Sequence, residues 1–473
     1  MNEAMDLYPI LSTVNGIVAI VVVLGLCLFV HEAGHFAAAK LFGCRVHEFA
    51  LGFGPPILKI RRGETEYRLN IFPLGGYVRI AGMEPGAEDV EGGFHSIPRW
   101  QGAIVIAAGV FMNMVLAFIV FAFVALSTGV SDPSDGRILV RKVLQGTPAQ
   151  RAGLLPGDEI IAVNGSRHSM EVQSLDPDGA AAKAGLNSSM MIEAVEDNKV
   201  YLPAAAYESA RRAEGKTVKV TAIDTSVEDL TRQLRYLELP KPPPGGAEDP
   251  DVARNLLEKS WGLGFNELTR AGLVGAISER PEEPVTLTIN RDGQTQQVTL
   301  TPAVEYARYP VREPNGSVRT PHRAVGRMGT VIGASVRPIG VVEAGKEGMR
   351  RSYGAVMMVV FGIKAMLSKH IESGAGGPVA IMAMSAEQAR LGWDAVFNWL
   401  AIISANLAVI NLAPIPPFDG FRILLLGFEG TIKRRIDEQK ELILTLAGFV
   451  VIICFIVLVT FQDIVNLVRY GTP

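Results

Sequence analysis

The sequence predicts an α-helical polytopic membrane protein of about four spans, with a β-rich membrane-associated loop on the cytoplasmic side and an α+β region facing outward. Three observations predict it. Four apolar runs long enough to cross a bilayer lie in two pairs, one near each end of the 473-residue chain. A hydrophobic fraction of 48% and a mean hydropathy of +0.25 are high for a soluble protein and low for one held wholly in lipid. Between the pairs runs a long stretch with strand patterns, tight turns and an internal repeat.

The first run, Val14 to Leu41, carries His31-Glu32-Ala33-Gly34-His35 near its end. From Val14 to Val30 only Asn15, Gly16 and Gly25 are not hydrophobic, and none is charged. Histidines four apart on a helix stand one above the other, so both imidazoles reach one metal ion. Glu32, about 100° round the helix, can touch a water on that ion. The spacing points to zinc-dependent hydrolysis, with His31 and His35 as ligands and Glu32 as general base. Ionisable groups at membrane depth are costly, which favours function over a chance match on a buried helix. Glu3 and Asp6 make the N-terminal tail acidic, so the run reads as a retained span and not a cleaved signal peptide.

The further spans are Gln101 to Leu126, Trp393 to Leu412 and Leu442 to Phe461. Tyr353 to Leu367 contains Lys364 and follows Arg350 and Arg351, and reads as an amphipathic helix on the membrane surface. The segments are then 1–41, first span; 42–100, β-rich loop; 101–127, second span; 128–347, outward region; 348–392, surface helix and loop; 393–420, third span; 421–441, cytoplasmic loop; and 442–473, last span and tail. Lys40, Arg45, Lys59, Arg61, Arg62, Arg68, Arg79 and Arg99 lie between the first two spans, and Arg422, Lys433, Arg434 and Arg435 between the last two. By the positive-inside rule both loops are cytoplasmic, and both termini and the middle region face outward.

In the first loop, Gly52-Phe-Gly-Pro-Pro56 and Tyr67 through Val78 are rich in Gly, Pro, aromatic and β-branched residues and read as short strands with turns. A sheet edge beside a metal can accept an extended peptide as an added strand. In the middle region, Val143 to Leu154 is echoed by Leu175 to Leu186 at an offset of 32. The first copy continues as Leu155-Pro-Gly-Asp-Glu-Ile-Ile-Ala-Val-Asn-Gly165 and resembles the PDZ domain, its loop carrying Gly153, Leu154, Gly157 and Asp158. In the second copy Ser188-Ser189-Met190 replaces Pro-Gly-Asp, and 190–280 reads as an insertion. Thr217–Ala222 and the hairpin Val285–Leu300, turning at Asp292-Gly293, can each complete either copy.

A catalytic zinc wants a third protein ligand. Pro414, Pro416 and Pro417 must break the third span and present Asp419 at the same end of the membrane as His31 and His35. The rival role for Asp419 is to cap the next helix. Cys27, four residues before His31, is a further conceivable ligand, but a small apolar residue suits its surroundings better.

These residues resemble the site-2 protease family, in particular its bacterial membrane-embedded zinc metalloproteases with outward PDZ domains. The matching motifs are His-Glu-Ala-Gly-His, the Gly-Phe-Gly-Pro loop, Pro73-Leu-Gly-Gly-Tyr77, Gly376-Gly-Pro378 and the segment Asn406 through Asp419-Gly420. The resemblance implies that His31, His35 and Asp419 bind Zn2+, that Glu32 is the base, and that Asn411 polarises the scissile peptide. It implies a single-pass membrane protein as substrate, such as an anti-sigma factor in regulated intramembrane proteolysis, trimmed first by an upstream protease, in a bacterial inner membrane. Two motifs depart from the family pattern: Phe418-Asp-Gly-Phe421 stands for Leu-Asp-Gly-Gly, and Gly109-Val-Phe-Met-Asn113 for Gly-Pro-x-x-Asn.

Membrane lipids are partners by composition. A net charge of -3 and the lack of a basic stripe exclude nucleic acid. The rival reading from another class is an inactive membrane scaffold that recruits partners through its PDZ-like modules, which would need none of the four polar residues. A metal transporter would call for a repeated membrane half, which the chain lacks.

Overall fold

The computed structural model describes residues 8–83, 90–224, 234–245, 249–308, 311–312, 318–319, 322–367, 371–372, 376–434 and 437–470. Glu3, Asp6 and Arg435, used above for orientation, lie outside them. The chain divides into two compact units, one of residues 1–130, 338–367 and 375–473, the other of 131–337 and 368–374.

The first unit opens with α1 (Tyr8–Leu41), followed by β1 (Val46–Arg62), β2 (Thr65–Ile80) and α2 (Arg99–Thr128). The two strands are long, and each bends at its Gly-Pro-rich middle. Residues 65–70 pair with both 48–51 and 56–62, while 76–80 pair with the other side of 46–51. Two bent strands thus make four pairing segments, with 56–62 and 76–80 at the edges. Phe53, Ile57, Leu58, Ile60, Ile71 and Phe72 are exposed apolar side chains on this hairpin. α1 and α2 approach closely at the histidine motif, where a Cβ on Gly34 would sit 2.4 Å from the Ala108 carbonyl oxygen. Small residues at such a crossing are the usual means of packing helices where lipid removes the hydrophobic drive.

The second unit holds the repeat. Its first copy begins with β3 (Leu139–Val143), α3 (Pro148–Arg151) and β4 (Glu159–Val163). The second copy follows as β5 (His168–Leu175), α4 (Ala180–Lys183), β6 (Met190–Val195), α5 (Pro203–Arg212), β7 (Thr217–Asp224), β8 (Leu234–Pro240), α6 (Pro250–Trp261) and β9 (Leu263–Glu267). The chain then returns to the first copy with α7 (Arg270–Ser278), β10 (Val285–Arg291), β11 (Gln294–Leu300) and β12 (Thr330–Gly333). The sheets run β11-β10-β4-β3-β12 and β8-β7-β6-β5-β9. Numbered within each copy, both orders are 4-3-2-1-5, so the sequence repeat is a repeat of topology, one copy nested inside the other.

This corrects the reading of 190–280 as an insertion. Residues 190–267 supply the second copy's own strands and helices, and Leu273, Ala276 and Ile277 of α7 belong to the first copy's core. The second core includes Leu257 and Trp261 of α6, both fully buried. The open pairing question is also resolved: β10 pairs with β4, and β7 with β6. The β10–β11 hairpin turns at Asp292-Gly293 with φ of 51° and 83°, a two-residue turn that favours Asp-Gly.

The loop of the first copy is pinned by a buried charge. Asp158 is 1% exposed; its Oδ1 accepts from Arg291 Nε at 2.6 Å, and its Oδ2 from Arg291 Nη2 at 2.7 Å and the Leu155 backbone at 2.8 Å. Leu154 is buried, while Gly153 and Gly157 have φ of 77° and 100°, where a side chain would be strained. In the second copy Met190, 3% exposed, replaces the acid, and the Asn187 side chain accepts from the Ser189 backbone at 2.9 Å to form the turn. Burial pushes the Asp158 carboxyl up, but the Arg291 guanidinium and the Leu155 amide more than offset it, holding it below the usual carboxylate range. A depressed folded pKa contributes stability that is complete above the unfolded value of about 3.9 and is lost as pH falls through the folded one. Asp158→Asn is therefore expected to destabilise this copy at neutral pH by about 3 kcal/mol, and to flatten its acid sensitivity below about pH 4. Hydrogen exchange of 153–163 in the full chain against pH checks both; an unchanged profile would remove the role assigned to the pair.

The first unit resumes with α8 (Val341–Leu367), α9 (Pro378–Leu391), α10 (Trp393–Asn411), α11 (Asp419–Ile432) and α12 (Glu438–Tyr470). Tyr353 to Leu367, expected as an amphipathic helix, lies within α8. α8 is 27 residues long and packs on α2, with Gly348 against Ala122 and Ala355 in a core shared with Phe121 and Leu400. Two arginines of this helix flank a carboxylate: Glu347 is paired with Arg350 and Arg351, which hold it down at about 2. Residues 378–391 are helical where a loop was expected. The α9 N-terminus receives Asp463 of α12, whose Oδ2 accepts from the Ala380 backbone at 3.1 Å. A Cβ on Gly377 would lie 2.7 Å from that oxygen, which accounts for the Gly-Gly-Pro motif. Among the described residues four helices are long and apolar enough to cross a membrane: Val18–Leu41, Arg99–Thr128, Trp393–Asn411 and Gln439–Tyr470. The chain is a polytopic membrane protein with a β-rich region.

Candidate metal centre

α1 carries His31 and His35 on one face, both 5% exposed, their ring centroids 4.6 Å apart. Their Nε2 atoms are 3.1 Å apart. Asp419 reaches them from the break after α10. Its Oδ2 lies 3.1 Å from His31 Nε2 and 3.4 Å from His35 Nε2. Asp419 is the first residue of α11, with Phe418 as the N-cap, so its side chain is not spent on capping. Gly420 permits the turn, since a Cβ there would meet the Leu412 carbonyl oxygen at 2.1 Å.

Three ligand atoms, one from each residue, lie within 4.8 Å of one another. Asp419 Oδ2 is buried with no hydrogen-bond donor in line with it. Two imidazole nitrogens and a carboxylate oxygen turned toward each other lack protons to share, and a cation satisfies all three. Two nitrogens and one oxygen suit zinc, whose fourth position is left for water. The donor set fits that metal.

The surroundings hold the histidines still. His35 Nδ1 is 2.8 Å from the Val105 carbonyl oxygen of α2. Since a carbonyl only accepts, Nδ1 carries the proton and Nε2 keeps its lone pair. Gly109 of α2 lies against both rings: a Cβ there would be 2.4 Å from His35 Nε2 and 2.8 Å from His31 Cε1. Glu32 is half-buried, with the Val78 backbone amide of the 76–80 edge as a hydrogen-bond partner and Gly76 packed near its Cγ.

The structure thus brings together His31, His35, Asp419 and, beside them, Glu32. Asn411 ends α10, eight residues before Asp419, and among the described residues its side chain bonds none of the four. Cys27 is not part of the cluster; it is buried among α1, α2 and α10, with Sγ 3.8 Å from the Leu400 carbonyl oxygen. Gly153, Leu154, Gly157 and Asp158 belong to the other unit. Sequence reasoning passed over Gly109 and Asn113, seen only as a variant motif. Their spacing of four, which sets them on one face of α2, was the available signal.

The sequence profile of the family described as Peptidase family M50 matches residues 19–455. The chain belongs to peptidase family M50. Among the similar proteins are zinc metalloprotease RasP of Oceanobacillus iheyensis, 24% identical over 95% of this chain and 99% of the relative, and the chloroplastic membrane metalloprotease ARASP of Arabidopsis thaliana, 25% identical over 89% of this chain and 72% of the relative. The site-2 protease resemblance is borne out, and this M50 chain is a zinc metalloprotease of the membrane.

Proposed function

We propose that this M50 protease hydrolyses a peptide bond in or near the transmembrane segment of a single-pass membrane protein. The observation that carries the reading is the convergence of Asp419, the first residue of α11, on His31 and His35 of a membrane-length helix, with Glu32 alongside. His31, His35 and Asp419 would hold the zinc, which when bound would bring a water's pKa to about 7. The Glu32 carboxylate takes a proton from the attacking water and returns it to the leaving amine. A helical substrate hides its carbonyls in i to i-4 bonds and must unwind before it can be cut. The 76–80 edge, next to Glu32, offers backbone groups that replace those bonds. Asn411, at the end of α10, polarises the scissile carbonyl.

The loop charges support a cytoplasmic hairpin, with both termini and the second unit outside a bacterial inner membrane. The exposed apolar side chains of the hairpin support its contact with lipid. The nested copies, PDZ-like in sequence, screen substrates already shortened by another protease, with an anti-sigma factor as the kind of substrate such a cascade would supply. The experiment is reconstitution of the purified protein with a panel of single-pass substrates, and mass spectrometry of the products. New termini inside the span are expected; cleavage confined to soluble segments would overturn the intramembrane reading. For orientation, a cysteine at Gly165 is expected to label from outside the cell, and labelling only from the cytoplasm would reverse the topology.

A further inference from the structure

We infer that Asn113 of α2 is a positioning residue for His31, its side-chain oxygen accepting the proton on His31 Nδ1 and so turning a free Nε2 lone pair toward the metal. The inference rests on the zinc reading above and adds a residue to it.

Asn113 is fully buried, and the atom of its side-chain amide placed toward His31 is Nδ2, 3.4 Å from His31 Nδ1; the inferred contact turns the amide over. The Asn113 carbonyl accepts from Ser404 Oγ of α10 at 2.8 Å, and Ser404 is itself fully buried, so this turn of α2 is tied to its neighbour. On the far side of the amide, Oδ1 has no partner. Nothing there holds the amide to one of its two orientations, which the shape of the group does not distinguish. The choice falls to His31. With the amide nitrogen toward the ring, Nδ1 would have to accept and the ring proton would sit on Nε2. That nitrogen stands 3.1 Å from both His35 Nε2 and Asp419 Oδ2, where a ligand needs a lone pair and not a proton. With the amide oxygen toward the ring, Nδ1 donates and Nε2 is free. His35 already shows this pattern with the Val105 carbonyl as its acceptor. The two histidines are thus oriented by two acceptors about two turns apart along the same helix, one backbone and one side chain. Outer partners of metal-bound histidines typically change metal affinity by about 10- to 100-fold when removed.

The test compares zinc affinity, by chelator competition on the full-length protein in detergent, for wild type, Asn113→Asp and Asn113→Leu. Leu has the same branched heavy-atom outline, is somewhat bulkier, and has no acceptor; Asp keeps the acceptor and loses the donor. Asn113→Leu is expected to weaken zinc binding about 10- to 100-fold, and Asn113→Asp to stay within a few fold of wild type, with unchanged thermal unfolding of the zinc-free forms. Zinc affinity of Asn113→Leu equal to wild type would overturn the inference. So would Asn113→Asp as weak as Asn113→Leu, since that outcome assigns the contact to the amide nitrogen or to packing. If wild type itself binds no zinc, the metal reading falls and this one with it, a result distinguishable from either of the others.

Discussion

Glu32→Gln is expected to keep about one zinc per chain and to lose cleavage by about 10^2- to 10^4-fold, the range a positioned general base supplies. Gln has the shape of Glu and is not a member of the ligand cluster, so the three metal-binding groups stay in place. What disappears is the acceptor for the water's proton and, afterwards, its donor to the leaving amine. Zinc content and turnover of membrane-span peptides, measured on one purified preparation, separate the two effects. A variant that cleaves as fast as wild type would remove Glu32 from the mechanism. A wild type without zinc or cleavage would make the scaffold reading the leading one, with the nested copies as its working parts.

Gly109→Ala is expected to abolish zinc binding and activity together, although the residue has no functional group. Its Cβ would stand 2.4 Å from His35 Nε2 and 2.6 Å from His35 Cε1, well inside van der Waals contact. The His31 ring, 2.8 Å away, closes the other side. Neither ring can step back freely, since His35 is held by Val105 and His31 faces Asn113. The methyl group must therefore displace a ligand or part α1 from α2. The check is metal content with a thermal melt: loss of zinc from a folded protein is the expected pair. Retained zinc with normal activity would show that α2 does not lie against the histidines as described. Gly109 is a glycine for want of space, and the sequence pattern alone marks it only as part of a departing motif.

The second unit shows the same limit from another side. The repeat, the Asp292-Gly293 hairpin and the strand patterns are local, set by side-chain periodicity and turn chemistry within about ten residues. The partner of a strand is a different kind of fact. β4 and β10 are joined across the whole second copy, and no period in either segment says that one finds the other. For that reason 190–280 read as an insertion when its strands in fact complete a sheet. α8 divides in the same way: Glu347 pairs with Arg350 and Arg351 three and four residues on, which is local to the helix, whereas only the fold lays Ala355 into a core.

The sequence by itself determined the membrane spans, the histidine pair with its glutamate, and the candidacy of Asp419 at a broken helix. Each depends on chemistry that acts along the chain: apolar length against bilayer thickness, the 3.6-residue turn, and proline's missing donor. Only the tertiary structure decided that Asp419 Oδ2 comes within 3.1 Å of His31 Nε2 from 388 residues away, that Gly109 and Val105 of α2 shape the pocket, and that Asn113 faces His31. Those contacts lie between helices, where a few ångströms of approach are set by which small residues meet, and no single segment contains that information.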